Sequence, residues 1–331
     1  GTLPIRFFGT DEQKKKYLPS LTKWPSGFCF TEKLVGSDPA SMKTYALRVC
    51  NDFGYLVGYR VYGEKWYTTN SVFSDKEPLA EYLAVVARIV NNPAEIDDPN
   101  SEPCFGIFIV PTNAEGFQIK QRTEFMGMRG IYNAILGFTN VYVDKDQLIG
   151  KEGEGFKIAL QALTTGRLVI ASSCAAASKQ ALVLSRWWAI QREQWGKSIG
   201  KHEAIGSGKL VPAACDILAM EAMNNFASVF FDRGGDVRLE SATCKVFSSE
   251  KAWRIIDDMM QIFGGRGYEK AASLARREPA APVEQIFRDA RPNRIFEGST
   301  EILSQWVMRE GLDPYLQKGM PVRWKQSGVI Y

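Results

Sequence analysis

A single carboxylate separates an apolar run from a glycine near the C-terminal end of the 331-residue sequence. Residues 294–303 read Arg-Ile-Phe-Glu-Gly-Ser-Thr-Glu-Ile-Leu, so Glu297 follows an aliphatic and an aromatic side chain. Gly298 removes the side chain that would crowd this carboxylate, and the hydroxyl of Ser299 or Thr300 can cap a new helix. A glutamate that faces a cavity here loses hydration, which raises its pKa toward the range useful for a base. The alternative interpretation of the same residues is an ordinary acid at a helix N-terminus.

Two upstream segments favour the first interpretation. Residues 261–268 read Gln-Ile-Phe-Gly-Gly-Arg-Gly-Tyr, and residues 288–291 read Arg-Asp-Ala-Arg. Together with residues 294–303 they closely resemble, in the same order, the C-terminal end of the acyl-CoA dehydrogenases. The resemblance implies that Glu297 takes a proton from the α-carbon of an acyl thioester. In one branch of that family the base is a glutamate at the position that Gly166 occupies here, so Glu297 is the only matching carboxylate.

The composition limits the classes of protein to which the sequence can belong. Hydrophobic residues make up 45% and charged residues 24% of a chain long enough for two or three domains, as in ordinary soluble globular proteins. The net charge of +4, without a basic run interleaved with aromatics, argues against a nucleic-acid partner. Six singly placed cysteines and one histidine argue against a disulfide framework and against a metal site. The most apolar run, residues 168–177, is short and contains serines, so no transmembrane segment is predicted.

Two periodicities predict the fold. Residues 27–143 contain β-branched or aromatic runs of period two, separated by Gly, Asn, Asp and Pro clusters, which predicts an antiparallel β-sandwich or barrel domain. The period then changes to 3.6 and predicts helices over residues 156–191 (interrupted only at Gly166), 214–231 and 237–263. One face of the last helix is predicted to consist of Ala242, Val246, Trp253, Ile256, Met260 and Phe263. Short loops between long helices predict an antiparallel four-helix bundle, so the fold class is α+β.

The chain is predicted to divide into three segments. Residues 10–19 predict a short capped helix, and they resemble a segment that closes an N-terminal helical domain in the acyl-CoA dehydrogenases. We therefore expect a remnant of that domain over residues 1–26, a middle β domain over residues 27–150 and a C-terminal helical domain over residues 151–331. Because nearly all of the N-terminal domain has no counterpart here, we also expect the chain to be part of a longer protein.

Two segments of the predicted β domain resemble flavin-binding segments of the same family. Residues 28–38 read Phe-Cys-Phe-Thr-Glu-Lys-Leu-Val-Gly-Ser-Asp, which is similar to x-x-Thr-Glu-Pro-x-x-Gly-Ser-Asp with lysine in place of proline. Residues 63–70 read Gly-Glu-Lys-Trp-Tyr-Thr-Thr-Asn, which is similar to Gly-x-Lys-x-Trp-Ile-Thr-Asn. The alignment implies that Tyr67 stacks on the flavin and that Thr69 reaches its N5 atom. Trp66 is displaced by one position and, in a regular strand, would point to the opposite face.

The same resemblance assigns further residues to ligands. Residues 192–196 read Arg-Glu-Gln-Trp-Gly and are similar to Arg-x-x-Phe-Gly, whose arginine reaches a flavin pyrophosphate across a subunit interface. A planar guanidinium suits phosphate oxygens, although an arginine at this point is equally typical of a helix C-terminus. The residues expected to contact FAD are Phe28, Phe30, Thr31, Ser37, Tyr67, Thr69, Arg192, Trp195, Gln261, Gly264, Gly265, Ser299 and Glu301. Those expected to contact the substrate are Ser37, Arg167 and Gly298.

The resemblance covers residues 8–310, is nearest to the very-long-chain branch, and implies a reaction. The expected enzyme is an FAD-dependent acyl-CoA dehydrogenase of fatty acid β-oxidation, in which Glu297 removes the α-proton while a hydride leaves the β-carbon to give the trans-2-enoyl-CoA. Electron-transfer flavoprotein is the expected electron acceptor. A homodimer or homotetramer is expected, in the cytoplasm of a bacterium or the mitochondrial matrix of a eukaryote. The alternatives are an acyl-CoA oxidase that uses O2 and a catalytically silent assembly or scaffold protein, against which the retained Glu297 and flavin segments argue.

Overall fold

The computed structural model describes residues 1–274 and 281–319, which belong to two compact units. The first, called the β unit, comprises Gly1–Phe125 and Arg129–Ala162. The second, called the helical unit, comprises Met126–Met128 and the described residues from Leu163 onward. The division of the chain into three domains stays a prediction.

The β unit is built on one sheet. It begins with two short helices, α1 (Thr2–Phe8) and α2 (Asp11–Tyr17). The strands are β1 (Gly27–Cys29), β2 (Tyr45–Cys50), β3 (Leu56–Thr69), β4 (Tyr82–Val90), β5 (Phe105–Pro111), β6 (Phe117–Arg122), β7 (Asn133–Asp144) and β8 (Leu148–Ile149). Their order across the sheet is β6-β7-β3-β2-β4-β5-β8, and β1 pairs with β4.

The predicted α+β class is confirmed, but the sheet is mixed instead of purely antiparallel. Two pairings are parallel, β1 with β4 and β2 with β4. Strands β1 and β2 lie one after the other along the same side of β4, opposite residues 83–85 and 88–90, and both run in its direction. The connection between them therefore advances along β4 without reversing the chain.

Strand β4 is the centre of the β unit because both of its faces are covered. Leu83 and Val85 join an apolar cluster with side chains of β3, β5 and β7, whereas Ala84 and Val86 join a second cluster. The second cluster also includes Ile5, from α1. A strand covered on both faces has a near-continuous apolar sequence, which explains the run from Tyr82 to Val90.

The helical unit consists mainly of long helices. Its elements are α3 (Gly155–Gln191, whose first residues belong to the β unit), the hairpin of β9 (Glu193–Gln194) and β10 (Lys197–Ser198), α4 (Val211–Asp232), α5 (Arg238–Phe263), α6 (Gly265–Tyr268), α7 (Ala271–Leu274), α8 (Val283–Ala290) and α9 (Thr300–Gly319). One apolar core includes Ala181, Met220 and Ile256 and thereby joins α3, α4 and α5. The helices predicted over residues 156–191, 214–231 and 237–263 agree with α3, α4 and α5, but α3 continues through Gly166 without a break.

Helix α3 is the one described helix that is long and apolar enough, by length and composition, to cross a membrane. The core helix of a soluble protein meets the same criterion. In the helical unit, α3 contributes Cys174 and Ala181 to apolar clusters that include residues of α5.

Candidate active site

The predicted base lies in a tight turn that leads into α9. Glu297 has φ 56° and Gly298 has φ 100°, so two successive residues have left-handed backbone. A Cβ atom at Gly298 would lie 2.9 Å from Cγ and Cδ2 of Leu303, which means that both the backbone and the packing require glycine. The backbone N–H of Leu303 donates to the carbonyl of Ser299 at 3.0 Å, and α9 begins at this point.

Two basic side chains from different helices hold the backbone of this turn. Arg167 of α3 donates from Nε to the carbonyl oxygen of Glu297 at 3.1 Å. Lys245 of α5 donates from Nζ to the carbonyl oxygen of Gly298 at 2.7 Å. Consecutive carbonyls of a left-handed turn cannot bond within a regular helix, so these two donors satisfy them instead.

The same turn is anchored on its other side by Glu250 of α5. Its Oε1 accepts from Nε of Arg294 at 2.6 Å and from the hydroxyl of Thr300 at 2.7 Å. Helix α5 therefore holds the segment both before and after the base. With the segment fixed at both ends, the direction of the Glu297 side chain is set by the fold.

One oxygen of the Glu297 carboxylate has no such partner in the described chain. Its Oε2 is shielded from solvent and makes no hydrogen bond within the described residues. Burial raises the pKa of Glu297, while the charges of Arg167 and Lys245 act in the opposite direction. A Cβ atom at Gly166 of α3 would lie 3.2 Å from both Cδ and Oε2 of Glu297, so the glycine leaves the space that the carboxylate occupies.

Ser299 and Glu301, predicted to contact FAD, lie at the N-terminal end of α9. Glu301 is exposed, and its pKa is lowered by a backbone hydrogen bond at the helix start and by the Ser299 hydroxyl. Both residues thus have a local role in helix capping, and their contact with FAD stays a prediction.

In the β unit, hydrogen bonds bring the two flavin-like segments together. The backbone N–H of Trp66 donates to the carbonyl of Thr31 at 2.8 Å. Phe28 and Phe30 stack with ring centroids 5.7 Å apart, and both pack against the apolar cluster that contains Ile5. Ser37 is exposed in the loop that follows.

A β-bulge sets the aromatic residues of β3. The register between β3 and β7 shifts between Lys65 and Thr68, so the alternation expected of a regular strand does not hold for Trp66 and Tyr67. Tyr67 has φ 58° and its residue surface is 53% exposed, whereas Trp66 is half-buried with an Nε1 that has no partner in the described chain. The exposed ring is thus the one that the alignment assigns to flavin stacking.

Asn133 of β7 fixes the end of β3. Its Nδ2 donates to the carbonyl of Tyr67 and to the hydroxyl of Thr69, each at 2.9 Å. Its buried Oδ1 has no hydrogen-bond partner among the residues that the structure describes. Asn133 was not predicted, because an asparagine at the start of a strand carries no signal of its own in the sequence.

Two more of the predicted residues, Arg192 and Gln261, lie near the C-terminal ends of α3 and α5. Trp188 of α3 stacks on Phe263 of α5, with ring centroids 5.2 Å apart. The guanidinium of Arg192 lies 5.8 Å from the Trp188 ring centroid and that of Arg266 lies 5.3 Å from it. The aromatic pair therefore brings Arg192 to the loop that follows α5, and Gln261 is exposed on the last turn of that helix.

The two glycines after α5 leave open space. Gly264 has φ 64°, and a Cβ atom on Gly264 or Gly265 would meet no atom of the described chain within 4 Å. The absence of a side chain at Gly265 is thus not required by packing, which suits the close approach of a ligand. Trp195, at the turn of the β9–β10 hairpin, is 90% exposed.

Lys245 and Glu250 are the residues at the base that the sequence pattern did not identify. Both lie on α5, whose predicted apolar face was chosen from hydrophobic side chains only. The described part of the chain contains no group of three or more His, Cys, Asp or Glu side chains that could hold a metal ion.

The β unit exposes an aromatic ring at a strand bulge, and the helical unit leaves one oxygen of a buried carboxylate without a partner in the described chain. The class of protein to which these features belong follows from comparison with known proteins. Two sequence models of one family match the chain, the acyl-CoA dehydrogenase middle domain over residues 27–141 and the acyl-CoA dehydrogenase C-terminal domain over residues 153–312. An acyl-CoA dehydrogenase of Bacillus subtilis is 32% identical over 304 residues, which are 91% of this chain and 73% of that protein. The chain belongs to the acyl-CoA dehydrogenase family, and the family predicted from the sequence is confirmed.

Other relatives match nearly the whole of this chain but only about half of their own length. A probable acyl-CoA dehydrogenase, FadE10, of Mycobacterium tuberculosis is 42% identical over 319 residues, which cover 95% of this chain and 46% of that one. The mitochondrial very long-chain specific acyl-CoA dehydrogenase of Homo sapiens is 31% identical over 318 residues, covering 93% and 44%. A crystal structure of an acyl-CoA dehydrogenase complexed with FAD from Bacillus anthracis has a TM-score of 0.80 and 29% identity, covering 97% and 53%. The chain thus spans about half the length of several relatives that it matches.

Proposed function

We propose that this chain is part of an FAD-dependent acyl-CoA dehydrogenase that converts a fatty acyl-CoA to the trans-2-enoyl-CoA. The observation that carries the proposal is the Glu297 carboxylate, whose Oε2 is shielded and unpartnered within the described residues. A buried carboxylate without a partner is unfavourable for stability, and such groups are concentrated where proton transfer takes place.

The residues of both units fit FAD as the cofactor. In the β unit, the exposed Tyr67 ring and the Thr69 hydroxyl lie beside two buried polar atoms without partners in the described chain, Nε1 of Trp66 and Oδ1 of Asn133. In the helical unit, Arg192 and the open glycines after α5 offer a cation and an accessible backbone, which suit a pyrophosphate. FAD, when bound, supplies the acceptor for the hydride that leaves the β-carbon of the substrate.

The protein's own part in the reaction is to accept the α-proton. Glu297 must be ionised to do so, and its raised pKa makes it a stronger base than an exposed glutamate. When the α-proton passes to Glu297, both electrons of the α C–H bond stay and form the new C=C bond, while both electrons of the β C–H bond leave with the hydride. The fixed turn between Arg167 and Lys245 holds the base in one orientation, which lowers the entropic cost of that step.

The proposal extends to partners. The chain forms a homodimer or homotetramer in which Arg192 serves a flavin across a subunit interface, as the resemblance implies. Electrons leave the enzyme to electron-transfer flavoprotein. Ser37, Arg167 and Gly298 are the residues proposed to contact the acyl-CoA.

The test of the base is Glu297→Gln in the full-length protein. We expect the variant to keep FAD bound, and acyl-CoA to bleach the flavin at least about 100-fold more slowly than in the wild type, because only proton removal is lost. Stopped-flow absorbance of the flavin measures this rate. Near-normal bleaching would show that another residue is the base.

The electron acceptor distinguishes the dehydrogenase from an acyl-CoA oxidase. We expect rapid turnover of acyl-CoA with electron-transfer flavoprotein and slow turnover in air alone. Hydrogen peroxide formed stoichiometrically with enoyl-CoA, at a comparable rate, would contradict this and identify an oxidase.

A further inference from the structure

Lys245 lies in a position where a lysine is unfavourable. The side chain is fully buried in α5, and its one hydrogen bond within the described residues goes to the carbonyl of Gly298 at 2.7 Å. A neutral donor would satisfy that carbonyl as well as an ammonium does, without the desolvation of a full charge. The presence of a cation here therefore points to a role for the charge itself.

The charge acts on the base. Lys245 holds the residue next to Glu297, and its positive charge opposes the rise in the pKa of that carboxylate. Arg167 acts in the same direction from α3, and it holds the other carbonyl of the turn. Two helices thus each supply one cation and one hydrogen bond to the same two-residue turn.

The other titratable groups that face Lys245 are not alternative partners for its charge. The thiol of Cys174 in α3 has its pKa raised by burial to about 12, so it is neutral at physiological pH. Glu250 already accepts from Arg294 and Thr300. Burial lowers the pKa of Lys245 itself to about 8, with the charge of Arg167 acting in the same direction and with Glu297 and Glu250 opposing it.

We propose that Lys245 is a positioning residue for Glu297, which holds the Gly298 carbonyl and stabilises the ionised carboxylate through its charge. The proposal rests on the function proposed above, in which Glu297 is the base. It gives the lysine a role that a structural donor alone would not have, namely control of the pH range in which the base is ionised.

The discriminating variant is Lys245→Gln, which keeps a donor for the Gly298 carbonyl and removes the charge. We expect the acidic limb of the pH profile for flavin bleaching by acyl-CoA to move up by about one pH unit, because a cation no longer favours the ionised carboxylate. Above the midpoint of the variant, Glu297 is ionised in both proteins, so the two profiles should converge there. A purely structural role would lower the rate at every pH without moving the midpoint.

The matched control is Lys251→Gln on the same helix. Lys251 pairs with Asp216 at 3.0 Å and is partly exposed, so its loss removes one positive charge without touching the turn. We expect the pH profile of this variant to equal that of the wild type. If Lys245→Gln does not fold, the midpoint is measured in Lys245→Met, which removes both the charge and the donor with a side chain only one atom shorter.

A second measurement does not depend on turnover. The protonated carboxyl band of Glu297, assigned in infrared difference spectra by its loss in Glu297→Gln, is titrated in the enzyme without substrate. We expect its midpoint to lie higher in Lys245→Gln than in the wild type, and equal midpoints would overturn the role of Lys245 even if acyl-CoA bleaches the flavin. If acyl-CoA does not bleach the wild type, the proposed function is wrong, and the infrared midpoints still decide whether Lys245 acts on Glu297.

Discussion

Each unit of the molecule contains a fully buried lysine and a glutamate on which its charge acts, and the polar atoms of these groups are satisfied to different degrees. In the β unit, Nζ of Lys65 lies 2.8 Å from Oε1 of Glu32 and also donates to the carbonyl of Phe30 at 3.1 Å. Oε2 of the same glutamate accepts from the backbone N–H of Lys43 at 2.7 Å. Both oxygens and the ammonium are therefore occupied.

The helical unit arranges the same two residue types without a direct pair. Lys245 donates to a backbone carbonyl, and Oε2 of Glu297 is left without a partner in the described chain. Burial would raise the pKa of Glu32, but Lys65 and the hydrogen bonds together lower it, whereas the pKa of Glu297 is raised. A satisfied buried pair fixes structure, because it holds the flavin-like segment to β3. A buried carboxylate with an unpartnered oxygen stays available to accept a proton.

The largest effect is expected from breaking the satisfied pair. Lys65→Met leaves Glu32 buried with its charge uncompensated, which should lower the free energy of unfolding of the full chain by about 3–5 kcal/mol. Urea denaturation followed by circular dichroism measures the loss. Lys251→Gln, which breaks a partly exposed pair, serves as the control and should cost no more than about 1 kcal/mol.

The pH dependence of the Lys65→Met effect tests its cause. Because the pKa of Glu32 is lowered in the folded state, the pair stabilises above the unfolded pKa of 4.5, and this stabilisation is lost as the pH falls through the folded value. The difference between wild type and variant should therefore shrink in acid. A difference that is constant with pH would mean that lost packing, and not the unpaired carboxylate, accounts for the loss.

A smaller effect is expected from crowding the unsatisfied carboxylate. Gly166→Ala would place a methyl group 3.2 Å from Cδ and Oε2 of Glu297, so the carboxylate must move by a few tenths of an ångström. We expect flavin bleaching by acyl-CoA to slow by about tenfold, since small displacements of a base are costly. The helix itself should gain stability, by about 1 kcal/mol, because alanine is a better helix former than glycine.

The control for Gly166→Ala is Gly311→Ala in α9. A Cβ atom at Gly311 would meet no atom of the described chain within 4 Å. This variant should show a similar gain in stability and an unchanged bleaching rate. Equal bleaching rates in both variants would show that Gly166 does not make space for the base.

The sequence predicted the elements of the fold well because their hydrophobic periods are regular. Helix α4 was predicted over residues 214–231 and helix α5 over residues 237–263, close to the bounds that the structure has. The parallel pairing of β1 and β2 with β4 was not predicted, because the direction of a short strand depends on the loop that follows it. The bulge at Trp66 and Tyr67 was not predicted for a related reason. An extra residue in one strand is recognisable only when the partner strand is known.

The residues of the site were predicted only where they belong to a recognisable sequence motif. Glu297 and Gly298 stand in a recognisable segment, whereas Lys245 lies in a helix whose buried face was inferred from apolar residues. Of the six residues assigned to that face, Val246 and Met260 are only partly buried, while Lys245 and Ser248, which were not assigned to it, are fully buried. Transfer of a lysine out of water is unfavourable, so no pattern based on hydrophobicity places one in a core. The tertiary contact with the Gly298 carbonyl is what offsets that cost, and a contact with a residue 53 positions away cannot be read from the helix alone.

The smallest effect expected is a gain in stability when the unsatisfied carboxylate is removed. The pKa of Glu297 is raised in the folded protein, so between the unfolded value of 4.5 and the folded value the folded state binds more protons than the unfolded state. The stability of the wild type must therefore fall as the pH rises through this window and stay constant above it. Glu297→Gln does not titrate, so it should equal the wild type in acid and exceed it at neutral pH by about 1 kcal/mol. Urea denaturation of both proteins at a series of pH values measures the gap. A gap of opposite sign, with Glu297→Gln less stable at neutral pH, would mean that the carboxylate is paired in the folded enzyme as Glu32 is. The comparison of the two buried lysines would then no longer distinguish a structural role from a role in catalysis.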